Sequence, residues 1–422
     1  MSAKTSYYST YEEEEEEESE DDVAEDESES SEKPPTLPRV VAGQFCMQGE
    51  IGSGSYSEVY LGIDQLSGGQ VAIKVEWEKA EKGDKLLGEA KYYEALGQTE
   101  HTPHIRWSGT EGEYNMMVMD LLGPSLDLLF KQGGRFSLKT VVMLAEQIID
   151  RLEFVHERGI LYRDIKPHNF LMGLGEHCSR VYIVDFGLAK NYRDEAGAHI
   201  PPSQKKRSGI TGTVRYSSLN AHNGIDASRR DDLEATGYML LHFLRGDLPW
   251  LGLKAKSKKT KHKLIGSKKT ETSDAELCEG FPDEFVEFFR HCRAVEFAEK
   301  PDYAYLKGLM QKIAIREGFK CDKDFDWSNN EKWKSKISKK RVDFEKEKGK
   351  EKEGSRDPAR RGGAGSGGPP TETKEAKEAK EARRKDPSPR RKEPKSRDRS
   401  RDRSRRSRSR AKTGSRSRRS EK

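Results

Sequence analysis

Three residues of the stretch LYRDIKPHNFL (161–171) have the types and the spacing that phosphoryl transfer requires. Asp164 can accept the proton of an attacking hydroxyl group. Lys166 can neutralise charge on the phosphoryl group in transit, and the side-chain oxygen of Asn169 can hold Mg²⁺. The stretch therefore predicts a loop that transfers a phosphoryl group to a hydroxyl group.

Three further motifs occur once each, in the order that the same chemistry needs. Lys74 ends VAIK (71–74) and can reach the α- and β-phosphates of ATP, and Glu89 on a predicted helix can pair with it. Asp185 begins D-F-G and can bind the metal. A Gly/Ser-rich turn can let backbone N–H groups approach the phosphates; it comprises Ile51, Gly52, Ser53, Gly54, Ser55, Tyr56, Ser57, Glu58 and Val59.

Taken one at a time, these motifs have ordinary explanations. The turn could be a simple hairpin, the lysine a solvated strand residue and the glutamate an exposed helix residue. Their common order and spacing make coincidence implausible, because each motif falls on the element type that it needs. Together they predict a kinase that uses ATP and Mg²⁺.

The order and spacing of these motifs predict a protein kinase fold, which is α+β and bilobal. The hydrophobic pattern agrees, with a strand-rich part followed by a helix-rich part. Residues 50–63 and 70–77 alternate like strands, with turn residues between them at 64–69, and residues 180–187 are typical of a short buried strand that runs into a turn. From residue 226 the pattern is helical, with a basic stretch at 254–269 that we expect at the surface. The clearest helix is predicted at 137–159, where apolar residues recur every three or four positions, at Val141, Leu144, Ile148, Leu152 and Val155.

Charge is distributed unevenly along the 422 residues, although the net charge is only +5. The first 40 residues carry roughly −12, residues 334–422 roughly +20 and the part between them roughly −3. Neither end has enough apolar residues to form a core. We therefore predict a disordered acidic tail at 1–43, a kinase domain at 44–333 and a disordered basic tail, rich in Arg and Ser, at 334–422.

The cysteines and the apolar runs indicate the cellular setting. Five cysteines without zinc-type spacing favour a reducing compartment over a secreted disulfide framework. No apolar run approaches the ~20 residues that a membrane-spanning helix needs. We expect a soluble monomer in the nucleus and the cytoplasm, without membrane contact.

Residues 45–327 resemble the casein kinase 1 family of Ser/Thr protein kinases. The resemblance is carried by MVMDLLGPSLDLLF (117–130), NFLMGLG (169–175), VYIVDFGLAKNYRD (181–194), TGTVRYSSLNAH (211–222), SRRDDLEATGY (228–238) and KPDYAYL (300–306). Within it, SSLN (217–220) stands where most kinases have Ala-Pro-Glu.

The resemblance implies roles for residues around the nucleotide and the catalytic loop. Met119 would be the gatekeeper, Leu122 would bind adenine through its backbone, and Asp232 would brace the catalytic loop. The adenine ring would lie between the side chains of Ile51, Val59, Ala72, Leu171 and Val184. The alternative for these apolar residues is ordinary core packing, and for Val59 and Ala72 both can hold.

The resemblance also implies a substrate class, namely Ser or Thr near acidic residues or near a phosphate already in place. Arg215, Lys258 and Lys261 match the positions of the family's anion site, and Lys205, Lys206 and Arg207 lie in the activation segment nearby. Grouped Arg and Lys side chains favour phosphate and carboxylate. The alternative is a solvated basic face or a nuclear-import signal.

Three positions depart from the usual pattern. Ser57 replaces a glycine of the phosphate-binding turn, and His168 stands where Asp or Glu is common. Tyr162 replaces the usual His before the Arg-Asp pair. We expect its ring to pack against Phe186, provided that its hydroxyl group finds a partner.

The tails leave further possibilities open. The Arg-Ser tract at 396–410 could bind RNA or splicing factors, or be a soluble spacer. The chain could also be a nuclear scaffold or pseudokinase that acts through this tail, or a kinase dedicated to splicing factors. The acidic tail resembles a kinase substrate, and we predict autophosphorylation, in cis or in trans, at Ser19, Ser28, Ser30 or Ser31.

Overall fold

The structure, a computed structural model, describes residues 36–54, 57–77, 85–206 and 209–328. Its N-terminal part contains a six-stranded antiparallel sheet in the order β1-β2-β3-β4-β6-β5 and one helix, α1 (Lys85–Leu96), which packs against β5 and β6. The strands are β1 (Val40–Val41), β2 (Phe45–Ser53), β3 (Glu58–Asp64), β4 (Gln70–Trp77), β5 (Ile105–Glu111) and β6 (Tyr114–Asp120).

In strand β4, the alternation of residues decides on which face of the sheet Lys74 lies. Alternate residues of a strand face opposite sides of the sheet. Val71, Ile73 and Val75 belong to an apolar cluster on one face, while Ala72 belongs to the main core on the other. Lys74 therefore shares the face of Ala72, toward the helical part of the molecule.

The C-terminal part is mainly helical. Helix α3 lies at its centre and packs against α5 and α9. The helices are α2 (Leu126–Gly133), α3 (Leu138–Glu157), α4 (Leu219–His222), α5 (Arg229–Arg245), α6 (Lys258–Glu271), α7 (Asp274–Leu277), α8 (Glu284–Ala294) and α9 (Tyr303–Arg316). Two short antiparallel strand pairs complete the part, β7 (Ile160–Leu161) with β10 (Lys190–Asn191) and β8 (Phe170–Met172) with β9 (Val181–Ile183).

The helix predicted at 137–159 is confirmed as α3. The Ser137 hydroxyl oxygen accepts a hydrogen bond from the Thr140 backbone N–H, which satisfies one of the amides that a helix start leaves unpaired. Gly159 follows the helix with φ of +80°, a conformation that glycine adopts without the steric cost of a side chain. The two-part α+β architecture is also as predicted.

Two expectations need correction. Val40 and Val41, assigned above to the acidic tail, pair with Cys46 and Phe45 of β2, so regular structure begins before residue 44. Lys269, expected at the surface with its basic neighbours, is buried with only 1% of its surface exposed. Both tails lie outside the described residues apart from 36–43, as does the predicted domain end at 333. Among the helices of the described ranges, none is long and apolar enough to cross a membrane.

Candidate active site

The catalytic loop lies between β7 and β8, and its polar side chains converge on Asp164. One carboxylate oxygen, Oδ2, accepts a hydrogen bond from Asn169 Nδ2 at 3.0 Å and lies 2.9 Å from Lys166 Nζ. The other, Oδ1, accepts a hydrogen bond from Thr213 Oγ1 at 3.1 Å. The carboxylate is thereby fixed in orientation beside a positive charge, as a proton acceptor next to a transferring phosphoryl group needs to be.

The backbone of the loop is held from beneath by Asp232 on α5. The two oxygens of this buried carboxylate accept hydrogen bonds from the N–H groups of Tyr162 at 2.9 Å and Arg163 at 2.8 Å. Arg163 has φ of +66°, which is unfavourable for a residue with a side chain. The two hydrogen bonds to Asp232 hold the chain in this conformation. The bracing position expected for Asp232 is therefore observed.

Tyr162 is fully buried under the loop. Its ring meets Phe186 edge to face, with ring centroids 5.4 Å apart, and its hydroxyl group donates to the carbonyl oxygen of Val184 at 2.6 Å. The hydroxyl group thus has the partner that a buried tyrosine requires.

Lys74 joins the two parts of the molecule. Its ammonium nitrogen lies 2.7 Å from Glu89 Oε2 on α1 and 3.2 Å from Asp185 Oδ1. Glu89 is buried, with 4% of its surface exposed, so it is not the exposed helix residue of the ordinary alternative. The structure brings together the lysine, the helix carboxylate and the D-F-G aspartate as the motif order predicted.

Burial and charge act in opposite directions on this trio. Burial lowers the pKa of Lys74, but the carboxylates of Asp185 and Glu89 outweigh it and the net shift is upward, so the lysine stays protonated. Burial raises the pKa of Asp185, but Lys74 and Lys166 hold it below its usual value. The pKa of Glu89 is raised to about 7, chiefly by burial, with Lys74 opposing the rise. Two carboxylates share one ammonium group, and Glu89 is the more buried of them.

The D-F-G turn has its own supports. Asp185 has φ of +63°, and its backbone N–H donates to the hydroxyl group of Tyr93 at 3.0 Å. The Tyr93 ring meets Phe186 at a centroid distance of 4.9 Å. Helix α1 therefore supports Asp185 in two ways, because Tyr93 bonds to the Asp185 backbone and Glu89 holds Lys74, which contacts the Asp185 carboxylate.

The donor set fits a magnesium ion. Mg²⁺ prefers carboxylate and carbonyl oxygens and keeps several water ligands. Asp185 supplies a carboxylate, and Asn169 uses its amide nitrogen toward Asp164, which leaves its carbonyl oxygen as the atom suited to a metal. The roles assigned to these two residues remain predictions.

Most residues predicted around the nucleotide lie on the elements that border the Lys74 face. Ala72 and Met119 are cross-strand partners on β4 and β6, and Val59 is the partner of Lys74. Gly54 N–H donates to the carbonyl oxygen of Ser57 at 2.8 Å, which closes the turn. Residues 55 and 56 lie outside the described ranges. Strand β2 carries Ile51, Gly52 and Ser53, and β3 begins at Glu58. Leu122 follows β6, Leu171 lies on β8, and Val184 comes directly after β9.

The predicted anion site involves two elements. Arg215 lies between Thr213 and α4, and Lys258 and Lys261 lie in the first turns of α6. Helix α6 packs against α4, and its Lys269 bonds to the segment that carries Arg215. Lys205 and Lys206 are exposed, and residue 207 lies outside the described ranges. A phosphate-binding role for these residues remains a prediction.

Three supporting residues were not identified from the sequence. Thr213 orients Asp164, Tyr93 holds Asp185, and Lys269 donates to the carbonyl oxygens of Val214 at 2.9 Å and Ser217 at 2.6 Å. Each acts on a segment distant in sequence. The one available signal was helical spacing, since Lys269 lies one turn after the buried Ile265.

Comparison with known families agrees with this geometry. The family model described as protein kinase domain matches residues 45–306, which is more than half of the chain. The match includes Lys74, Glu89, Asp164, Asn169 and Asp185.

Proposed function

The chain belongs to the protein kinase family, and from this premise we propose that it is a casein kinase 1-type Ser/Thr kinase. It transfers the γ-phosphate of ATP to Ser or Thr hydroxyl groups in acidic or already phosphorylated protein segments. The observation that carries the catalytic part is the complete set around Asp164, with Lys74 paired to Glu89 and Asp185. Loss of the lysine or of the metal-binding side chains would instead have favoured a pseudokinase.

The side chains divide the reaction between them. Asp164 accepts the proton of the substrate hydroxyl group, and Asn169 and Thr213 hold its carboxylate in orientation. Lys166 stabilises negative charge on the transferring group, and Lys74, placed by Glu89, orients the α- and β-phosphates. When bound, Mg²⁺ neutralises phosphate charge, and Asn169 and Asp185 are the residues that would hold it.

The substrate preference rests on charge. Arg215, Lys258 and Lys261 occupy the positions at which the resembled family binds an anion, and α6 carries no acidic residue before Glu271. Arg and Lys attract carboxylate and phosphate oxygens and repel basic peptides. Acidic or phosphate-primed segments are therefore the substrates that we assign.

Localisation and partners are proposed from the tails. We assign the protein to the nucleus and the cytoplasm, with the Arg-Ser tract binding splicing factors or RNA. Fractionation of cells that express the full chain, with and without residues 334–422, tests this assignment. Equal distribution of both forms would contradict a targeting role for the tail.

One experiment tests the activity and the substrate class together. The full-length chain is given Mg-ATP and three Ser peptides, one phospho-primed, one acidic and one of Arg-Ser repeats, with Asp164→Asn as the control. We expect kcat/KM to be highest on the primed and acidic peptides. Loss of the proton acceptor should lower kcat by about 10²- to 10⁴-fold. Preference for the Arg-Ser peptide would favour a splicing-factor kinase, and absence of turnover would favour a scaffold.

A further inference from the structure

Besides Glu89 and Tyr93, a third side chain of α1 contacts the segment around the D-F-G motif. The hydroxyl group of Tyr92 donates to the carbonyl oxygen of Ala189 at 3.0 Å. Tyr92 lies three residues after Glu89 and directly before Tyr93, and residues at positions i, i+3 and i+4 share one face of a helix. One face of α1 therefore carries two side chains of the site described above and a further one that the site does not use.

The segment that Tyr92 contacts is closed by its own hydrogen bonds. The Ala189 N–H donates to the carbonyl oxygen of Phe186 at 3.0 Å, which is the hydrogen bond of a β-turn over residues 186–189. The Gly187 N–H donates to Asp185 Oδ1 at 3.4 Å, and the Phe186 side chain is fully buried. A displacement of Ala189 is therefore passed back through the turn to Asp185.

Two successive carbonyl groups of the 186–189 turn are held by different parts of the molecule. The Leu188 carbonyl oxygen accepts a hydrogen bond from Arg163 Nε, on the catalytic loop, at 2.8 Å, and the Ala189 carbonyl accepts the one from Tyr92. Directly after the turn, β10 pairs with β7, which also belongs to the C-terminal part. The Tyr92 bond therefore adds an attachment to α1 where the chain is otherwise tied to the C-terminal part.

The Tyr92 side chain is held in place independently of this bond. Its ring is half-buried and packs against the main core. A tyrosine has only two side-chain torsions, so a packed ring leaves its hydroxyl group little freedom. The hydrogen bond therefore restrains the position of Ala189 more than that of the tyrosine.

We propose that Tyr92 is a positioning residue, which couples α1 to the 186–189 turn and so keeps Asp185 aligned with the lysine–glutamate pair. It acts through Ala189 and is not itself one of the residues assigned to phosphate or metal. With this bond in place, α1, its lysine partner and the D-F-G aspartate move as one unit. The proposal rests on the kinase activity of the proposed function and is independent of the substrate class.

Hydrogen exchange of the full-length chain without nucleotide tests the coupling. Tyr92→Phe removes the hydroxyl group and keeps the ring. Loss of one such hydrogen bond shifts a local opening equilibrium by about 2- to 10-fold. We expect the amides of residues 185–192 to exchange faster by that factor, while peptides from α3 keep the wild-type rate.

Turnover distinguishes positioning from simple support. Small displacements of a group that acts on the transferring phosphoryl group lower the rate steeply. With Mg-ATP and an acidic Ser peptide, kcat of Tyr92→Phe should fall by about 2- to 10-fold. KM for the peptide should stay close to the wild-type value, because the residues proposed to bind it lie on other elements. Tyr92→Leu, which also loses the ring, should show the same pattern and a lower melting temperature.

The matched control is Tyr305→Phe, the same exchange at an exposed tyrosine of α9. It should keep the wild-type exchange rate of residues 185–192 and the wild-type kcat. Thermal melting shows that each variant is folded, and Tyr92→Phe keeps the test valid if Tyr92→Leu does not fold.

Three results would overturn the proposal. One is unchanged exchange of residues 185–192 in Tyr92→Phe, and another is an equal increase throughout the kinase domain, which would make Tyr92 only a part of the core. The third is faster exchange with unchanged kcat, which would separate the turn from the position of Asp185. Failure of the proposed function is distinguishable, because wild type would then show no turnover, while hydrogen exchange would still report the coupling without substrate.

Discussion

The hydroxyl group of Tyr162 donates to the carbonyl oxygen of Val184 at 2.6 Å, and so joins the catalytic loop to the residue immediately before Asp185. Together with the edge-to-face contact to Phe186, it connects the proton acceptor loop to the metal-binding turn. Tyr162, which replaces the usual His before the Arg-Asp pair, therefore supports the catalytic loop through specific contacts of its own.

Removing the hydroxyl group alone should weaken that connection. In Tyr162→Phe the carbonyl of the half-buried Val184 loses its donor, and loss of one such hydrogen bond typically costs about 0.5–1.5 kcal/mol of unfolding free energy. We expect denaturant unfolding at lower concentration and a several-fold lower kcat with little change in KM for peptide. Tyr162→Leu, which also loses the ring contact, should be worse in both respects.

Tyr305→Phe is the control for the two Tyr162 variants. Tyr305 is an exposed residue of α9, and within the described part of the chain its hydroxyl group donates to Glu287. This variant should behave as wild type. Equal stability and turnover of Tyr162→Phe and wild type would show that the hydroxyl group has no supporting role.

Lys269 is expected to hold the segment that carries Arg215. Its buried ammonium group donates to the carbonyls of Val214 and Ser217, while Trp250 Nε1 donates to the carbonyl of Arg215 at 2.8 Å. Lys269→Met keeps the length of the side chain but leaves two carbonyls without their donor. The unfolding free energy should fall by about 1–3 kcal/mol, and KM for a phospho-primed peptide should rise more than kcat falls.

Lys263→Met is the matched control, the same exchange at an exposed residue of α6. Chemical denaturation and peptide kinetics of both variants give the comparison. Coincident unfolding curves, or an effect on kcat alone, would refute the assigned role of Lys269.

Stability should decrease as the pH falls below about 6.5, through two histidines, the half-buried His222 and the buried His242. Burial, reinforced by Lys269 and His262, lowers the pKa of His222 to about 3, and burial with Arg215 lowers that of His242 to about 4. Both are neutral when folded, whereas in the unfolded chain they bind protons near pH 6.5. Their contribution to the free energy of unfolding is complete above about pH 6.5. As the pH falls from there toward the pKa of each histidine in the folded protein, the free energy of unfolding decreases by roughly 1.4 kcal/mol per pH unit and per histidine.

The double variant His222→Gln/His242→Gln isolates this contribution. Between pH 7.5 and 5 its unfolding free energy should depend less steeply on pH than that of wild type, whatever its absolute stability. His177→Gln, at an exposed histidine, should retain the wild-type slope. If the unfolding free energies of wild type and the double variant changed in parallel with pH, the two histidines would not be the origin of the pH dependence.

The sequence predicted those features that depend on local pattern. The apolar repeat located α3, and the order of Lys74, Glu89, Asp164 and Asp185 located the site, because each motif carries its own spacing. The contacts of Lys269 and Tyr92 could not be predicted in the same way, since their partners come from segments remote in sequence. Val40 and Val41 were missed because a two-residue strand is too short to show alternation.

The acidic tail gives the last prediction, that the kinase phosphorylates its own Ser19, Ser28, Ser30 or Ser31, which lie outside the described residues. Acidic residues surround these serines, and the proposed anion site favours such segments. Purified full-length chain is incubated with Mg-ATP and analysed by mass spectrometry, and we expect phosphate on at least one of the four. Asp164→Asn alone should show none, and Asp164→Asn mixed with active enzyme distinguishes modification in trans from modification in cis. If all four serines stay unmodified in an enzyme that phosphorylates acidic peptides, the tail is not a substrate.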